Sequence, residues 1–227
     1  MIVAPLPRSA IAIALLAILA WAGASALRVG AAGETVYRTA DELSAWNASQ
    51  EQPKPAAVAQ LAGELEQARE ATPSDANAEE LLGRLAMLDN ARAGFLDEAM
   101  AHYGRALALR PTSPYTWAAI VEALYRKGDT GPRFWRALDR AAVLGPQEPD
   151  VGRVIADYGL ALWGEASAGE RKTIDSAVAA EVRRGSPDIL QVAERRGRLA
   201  VACRHMGIAP RPIDPRWLNL CSWEGTT

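Results

Sequence analysis

The chain has 227 residues, a formal net charge of −2, 49% hydrophobic and 23% charged residues. That balance supports a folded core rather than a disordered chain, and its slightly acidic sign gives no general electrostatic affinity for nucleic acid, so no nucleic-acid partner is expected. Alanine and leucine dominate, β-branched residues are few, and no useful stretch alternates with a period of two, so the chain is predicted to be all-α.

Arg8 precedes a nearly unbroken apolar run from Ser9 to Leu27, which Arg28 closes. A basic start ahead of about 20 apolar residues is the pattern of a signal anchor or of a cleaved secretory signal. Ala24-Ser25-Ala26 suits cleavage, whereas Trp21 and Arg28 form the interfacial pair of an anchor; both readings stay open. In either, everything after Arg28 is exported. The expected location is the bacterial inner membrane, with a single N-terminal span and the body in the periplasm. Residues 1–28 form this segment, 29–54 a linker with a short helix, 55–207 a helical repeat domain and 208–227 a Pro-rich tail.

Gly30 to Gly33 reads as a small-residue linker leaving the membrane. Thr39 and Glu42 stand in the S/T-x-x-E relation of a capping box, predicting a helix over 39–49. Gln50 to Pro55 breaks it. Ala56 to Ala71 is predicted as a helix whose Val58, Leu61, Leu65 and Ala68 share one face, and it reads as the last helix of a degenerate first repeat.

Further along, Ala68 to Pro73, Ala106 to Pro111 and Ala141 to Pro146 repeat one layout, a small residue in an apolar helical pattern followed by proline. The prolines recur at intervals close to the ~34-residue period of tetratricopeptide repeats, each a pair of antiparallel helices. Leu82-Gly83, then Ala99, Tyr103, Ala106 and Pro111, resemble the first and second helices of such a repeat, with a longer turn around Asp89 to Gly94. Trp117, Ile120, Val121, Leu124 and Gly128 resemble the next first helix; Phe134, Leu138, Ala141 and Pro146 complete that repeat. Val151, Val154, Ile155, Tyr158, Leu162 and Trp163, then Ile174, Val178 and Val182, predict a third. Ser186 is read as the cap and Pro187 as the first position of a final helix carrying Ile189, Val192, Leu199 and Cys203, a stripe that Arg196 interrupts. Pro210, Pro212 and Pro215 predict an extended tail.

Little in this pattern carries chemistry. The two histidines, His102 and His205, are isolated; His102 reads as exposed or groove-facing. No His-x-x-x-His, Cys-x-x-Cys, Gly-rich phosphate loop or Gly-x-Ser-x-Gly occurs, so no catalytic residue, cofactor or metal ligand is expected and the chain is not read as an enzyme. Glu79-Glu80 and Asp97-Glu98 fall in first helical turns, where they complement the helix dipole. Cys203 and Cys221 are an even pair, and export favours a disulfide that folds the tail onto the last helix; two free thiols are the alternative. The final helix and tail are locally basic. Arg195 and Arg198 are candidate contacts for an anionic partner, such as an acidic polysaccharide, against the plainer reading of a solvated face. Stacked hairpins also present a concave face. In the tetratricopeptide family first helices line it, which makes Tyr115, Ala118, Glu122 and Arg126 candidate partner-binding positions.

Leu144 to Val151 (LGPQEPDV), Ala156 to Trp163 (ADYGLALW) and Arg196 to Cys203 (RGRLAVAC) resemble the C-terminal half of VpsP-type proteins, a resemblance covering roughly Ala76 to Cys203 together with the N-terminal hydrophobic segment. These are small, membrane-anchored repeat proteins associated with bacterial exopolysaccharide biosynthesis. The resemblance implies a tetratricopeptide-like helical-hairpin solenoid that serves as a periplasm-facing scaffold, with protein partners in an envelope polysaccharide assembly complex. It supplies no catalytic residue. The alternative is a scaffold for another envelope machine, such as cytochrome c maturation, a pilus or a secretion apparatus.

Overall fold

The structure, a computed structural model, describes residues 8–49, 52–186, 188–211 and 215–224, of which residues 8–10, 223 and 224 are described by their backbone alone. Every regular element among the described residues is helical. The chain divides into two compact units between Phe95 and Leu96.

In the first unit, α1 runs unbroken from Arg8 to Ser49, 42 residues or roughly 60 Å of helix. Its amino-terminal half is solvent-facing and apolar; Ile13, Leu16, Leu19 and Trp21 are all exposed. Among the described residues, this is the helix long and apolar enough to cross a membrane. Its carboxy-terminal half instead packs against α2 (Pro55–Ala71) and α3 (Ala76–Leu88). Ala32, Thr39 and Leu43 are buried there, with Val36, Ala40 and Trp46 partly so. The expected linker at Gly30–Gly33 is therefore absent. Each interior glycine costs about 1 kcal/mol relative to alanine, but the buried face beyond it repays continuation of the helix. Thr39 does not cap a helix start. It lies mid-helix, and its Oγ1 donates to the Thr35 carbonyl at 2.8 Å, which leaves the S/T-x-x-E relation without a terminus to serve. Gln50 lies outside the described residues.

The Val58–Leu65–Ala68 face of α2 is buried as its spacing predicts. It meets Ala78, Leu81, Leu82 and Leu85 of α3 in one core. Asp75 caps α3 by accepting from the Asn77 amide at 2.8 Å. Glu79 and Glu80 do more than complement a dipole. Both are buried, with the Arg69 guanidinium 3.6 Å from Glu79 and the Arg84 guanidinium 3.2 Å from Glu80. Residues 89–94 form the lengthened turn, where Gly94 adopts a left-handed φ of 79°.

The second unit contains α4 (Phe95–Leu109, apart from its first residue), α5 (Pro114–Lys127), α6 (Pro132–Leu144), α7 (Pro149–Ala161), α8 (Ala168–Arg184), α9 (Ile189–Arg195), α10 (Leu199–Cys203) and α11 (Pro215–Glu224). Ala99, Tyr103 and Ala106 of α4 are buried. So is His102, contrary to its reading as an exposed residue: its Nδ1 lies 2.7 Å from the Arg105 guanidinium, and it shares the buried face one position from Tyr103.

The helix pairing is that of stacked hairpins. First helix α5 packs on its own second helix α6 and on the next first helix α7; α7 packs on α8, and α6 on both α7 and α8. Helix ends explain the register. Pro114, Pro132 and Pro149 open their helices, where the missing N–H costs nothing. Ser167 and Glu170 form a complete capping box on α8. Gly159 sets the spacing of the second hairpin, since a Cβ there would lie 2.5 Å from Ile174 Cγ1. The unit is therefore all-α and tetratricopeptide-like, as the sequence predicts.

Its end departs from expectation twice. The final helix splits into α9 and α10, because Gly197 takes a left-handed φ of 63° between them. Ser186 does not cap α9; the N-cap position falls to Asp188, which makes no side-chain cap bond, and Pro187 lies outside the described residues. Nor is the tail extended throughout. Pro215 opens α11, because a proline at the first helical position has the φ a helix needs. Trp217 of α11 is buried in a core with Leu160, Ile174, Val178, Val182, Leu190 and Val201. Cys203 and Cys221 are joined by a disulfide, with Cα atoms 5.3 Å apart, fixing α11 to α10. Pro212 is outside the described residues.

Candidate functional site

The first-helix side of the second unit collects aromatic rings and charges from three places in the chain. Ser113 caps α5, its Oγ accepting from the Thr116 amide at 3.3 Å, and so fixes the rotation of that helix. Tyr115, Glu122 and Arg126 then remain solvent-accessible, while Ala118 is only 5% exposed. Tyr115, at the start of α5, donates its hydroxyl to the Glu148 carboxylate at the head of α7. Glu122 and Arg126, one turn apart, are 3.6 Å from each other. Of the four positions expected on α5, Ala118 is thus part of the core and cannot present a side chain to a partner.

The remaining members lie next to these and come from the end of α5, from α7 and from the segment after α9. Tyr125 and Tyr158 face one another with ring centroids 4.9 Å apart and planes tilted by 51°. The Arg196 guanidinium lies 5.6 Å over the Tyr125 ring, and its Nε donates to Asp157 Oδ1 at 2.7 Å. The Asp157 hydrogen bond holds the Arg196 pKa above its ordinary value, against the cost of burial. Burial, aided by the Glu122 and Asp157 charges, pushes the Tyr158 phenol far above its usual range, so it stays neutral and remains a hydrogen-bond donor. The site is a preformed aromatic and ionic surface. Rings provide area at low side-chain entropy, and cation–π stacking orders the arginine over them.

Arg196 is the residue that sequence reading undervalued. It breaks the apolar stripe of a helix because it belongs to another face: Gly197 ends α9 and lets it turn toward α7. Tyr158 was readable only as core, since a ring that is half buried satisfies the same spacing. The basic patch expected at the carboxy end is correspondingly reduced. Arg196 is committed to Asp157, and Arg204 to Asp175 at 3.0 Å. Arg195 is exposed at the end of α9, whereas Arg198 is half-buried beside α10. Among the described residues, no hydrogen bond or ion pair joins these two to Tyr115, Glu122 or Arg126 of α5. Among the described residues no group of three or more His, Cys, Asp or Glu side chains is placed to hold a metal ion.

No family model matches the chain, and no curated protein matches it. Among solved structures it is similar to the crystal structure of MamA protein, with 16% identity and a TM-score of 0.47, over 85% of this chain and 95% of that one. The hairpin architecture rests on the helix pairing within the second unit itself.

Proposed function

We infer that this is a membrane-anchored, periplasm-facing repeat scaffold that supports exopolysaccharide biosynthesis or export by binding proteins. The observation that carries the reading is the continuity of α1: one helix holds the exposed apolar segment and also supplies a packed member of the first helical unit. An anchor joined to the body without a flexible linker keeps a scaffold at a fixed height over the bilayer. The positive Arg8 before the apolar run supports export of the body, and the Cys203–Cys221 disulfide supports an oxidising compartment. The surface around Tyr125, Tyr158 and Arg196 suits a protein partner, because rigid rings and arginine are the side chains that anchor interfaces. The polysaccharide assignment comes from the resemblance to VpsP-type proteins.

The test uses the full chain in its own membranes. Glu122→Lys combined with Arg126→Glu reverses local polarity and leaves the core untouched. Circular dichroism should be unchanged, co-purification of the partner should fall, and secreted polysaccharide should fall with it. Normal binding and normal polymer from the folded variant would reject this surface; lost binding with normal polymer would keep the scaffold role and reject the polysaccharide pathway.

A further inference from the structure

We propose that the turn between α2 and α3, Thr72 to Asp75, is a second membrane contact of the first unit, seated in the zwitterionic headgroup layer around the base of α1. The inference rests on the anchor reading of α1 in the proposed function and adds where the first unit stands on the bilayer.

The height follows from the register of one helix. Arg8 and Arg28 bound the apolar run, and a helix rises about 30 Å between them, the thickness of the hydrocarbon core. Sliding α1 either way would draw an arginine into hydrocarbon, so the two charges pin its depth. α1 holds no proline and continues without a break into the packed part of the unit. Burial starts almost at once: Arg28 to Ala31 are exposed, and Ala32 is 4% exposed, roughly 7 Å beyond Leu27 along the axis. The headgroup layer is itself about 5–8 Å deep on each side. The side of the unit that covers Ala32 therefore stands at headgroup level.

The end of α2 supplies that side. α2 begins at Pro55, shortly after α1 ends at Ser49, and returns antiparallel, with Arg38 of α1 ion-paired to Glu64 of α2. An equal step back along α1 and forward along α2 brings Ala32 level with Glu70. α2 ends at Ala71, and the turn after it reaches further toward the apolar segment. Thr72 fixes that turn. Its amide and Oγ1 donate to the Ala68 carbonyl at 3.1 and 3.0 Å, and its own carbonyl accepts from the Asp75 amide at 3.0 Å. Pro73 and Ser74 are exposed at the tip. Charge selects the lipid. Exposed Glu34 and Glu70 offset Arg28, so this end is not the polybasic surface that anionic headgroups attract, and a zwitterionic layer receives it without repulsion. With both the span and the turn in contact, the first unit is held against tilting about its anchor.

The test reads depth by spin-label power saturation, oxygen against a nickel chelate, on the full chain in vesicles of equal parts phosphatidylcholine and phosphatidylethanolamine. Single variants Leu16→Cys, Ser74→Cys and Ala56→Cys carry the label at exposed positions; the native Cys203 and Cys221 are bonded to each other and stay unlabelled. Leu16 should read as deep hydrocarbon and Ser74 as within about 7 Å of the hydrocarbon edge. Ala56, about 22 Å from Ala71 along α2, should read as bulk water. An alanine insertion of about two turns after Arg28 lifts the packed part by about 10 Å with little rotation, and the Ser74 reading should become that of Ala56. Leu16 in lipid with Ser74 in bulk water overturns the contact and leaves the anchor standing; Leu16 in water overturns both. A Ser74 label that stays at headgroup depth after the insertion also overturns the proposal, since the register of α1 would then not set the height. So does a contact that forms only when phosphatidylglycerol is added, which would make it electrostatic.

Discussion

Single side chains make the sharpest commitments of this fold. Tyr103 is 1% exposed on α4, so Tyr103→Ala should destabilise the protein by about 3–5 kcal/mol, seen as a lower melting temperature; an unchanged melt would show that the ring is not enclosed. Gly159→Ala would place a methyl 2.5 Å from Ile174 Cγ1, and an overpacked contact of that kind should cost about 1–3 kcal/mol. Asp175 adds a pH dependence. Burial opposes its ionisation, but hydrogen bonds from His205 and Arg204 outweigh that and hold its pKa below the ordinary carboxylate value. Its stabilising contribution is therefore complete above about pH 4, and it is lost as the pH falls through the lowered value. Acid titration of the melting temperature should show this limb, and Asp175→Asn should flatten it. The apolar positions were legible because helical spacing encodes burial directly. Arg196 and Tyr158 were not, since their roles depend on which way a chain turns at Gly197, a choice made by tertiary packing.

At the scale of elements, proline and glycine signalled where helices start and stop but not always which of the two they do. Pro73, Pro111 and Pro146 marked the hairpin boundaries correctly. Gly30 and Gly33 looked like a linker, yet α1 passes through both, because the face ending in Leu43 has a core to enter. Gly33→Pro should break that helix at a cost of about 3 kcal/mol and make the segment near residue 33 newly sensitive to protease in the full-length protein; continued resistance would contradict a continuous α1. Pro215 likewise reads as a breaker in isolation and acts as a helix opener, with Trp217 buried behind it. The loop between Cys203 and Cys221 spans 18 positions, so reduction should remove about 3 kcal/mol by chain entropy. The melting temperature with and without a reductant checks this, and Cys203→Ala should abolish the difference.

For the whole molecule, the proposed function needs both an anchoring helix and a recognition surface. An alkaline phosphatase fused after Thr227, which lies outside the described residues, should be active if the body is exported as the proposed function requires. The hairpin class was legible from repeated spacing alone, whereas the surface that could act was only half visible: α5 supplied its accessible positions in the sequence, and α7 and Arg196 came to it through packing. The central claim is that this surface holds a protein partner while the chain sits in its membrane. The most direct measurement places a photo-crosslinking amino acid at Tyr125 in the full chain and irradiates native membranes. The account predicts one defined protein adduct, the same from Tyr115, that disappears when Glu122→Lys and Arg126→Glu are added. No adduct from a folded, membrane-inserted chain, or an adduct that persists after the charge reversal, would contradict it.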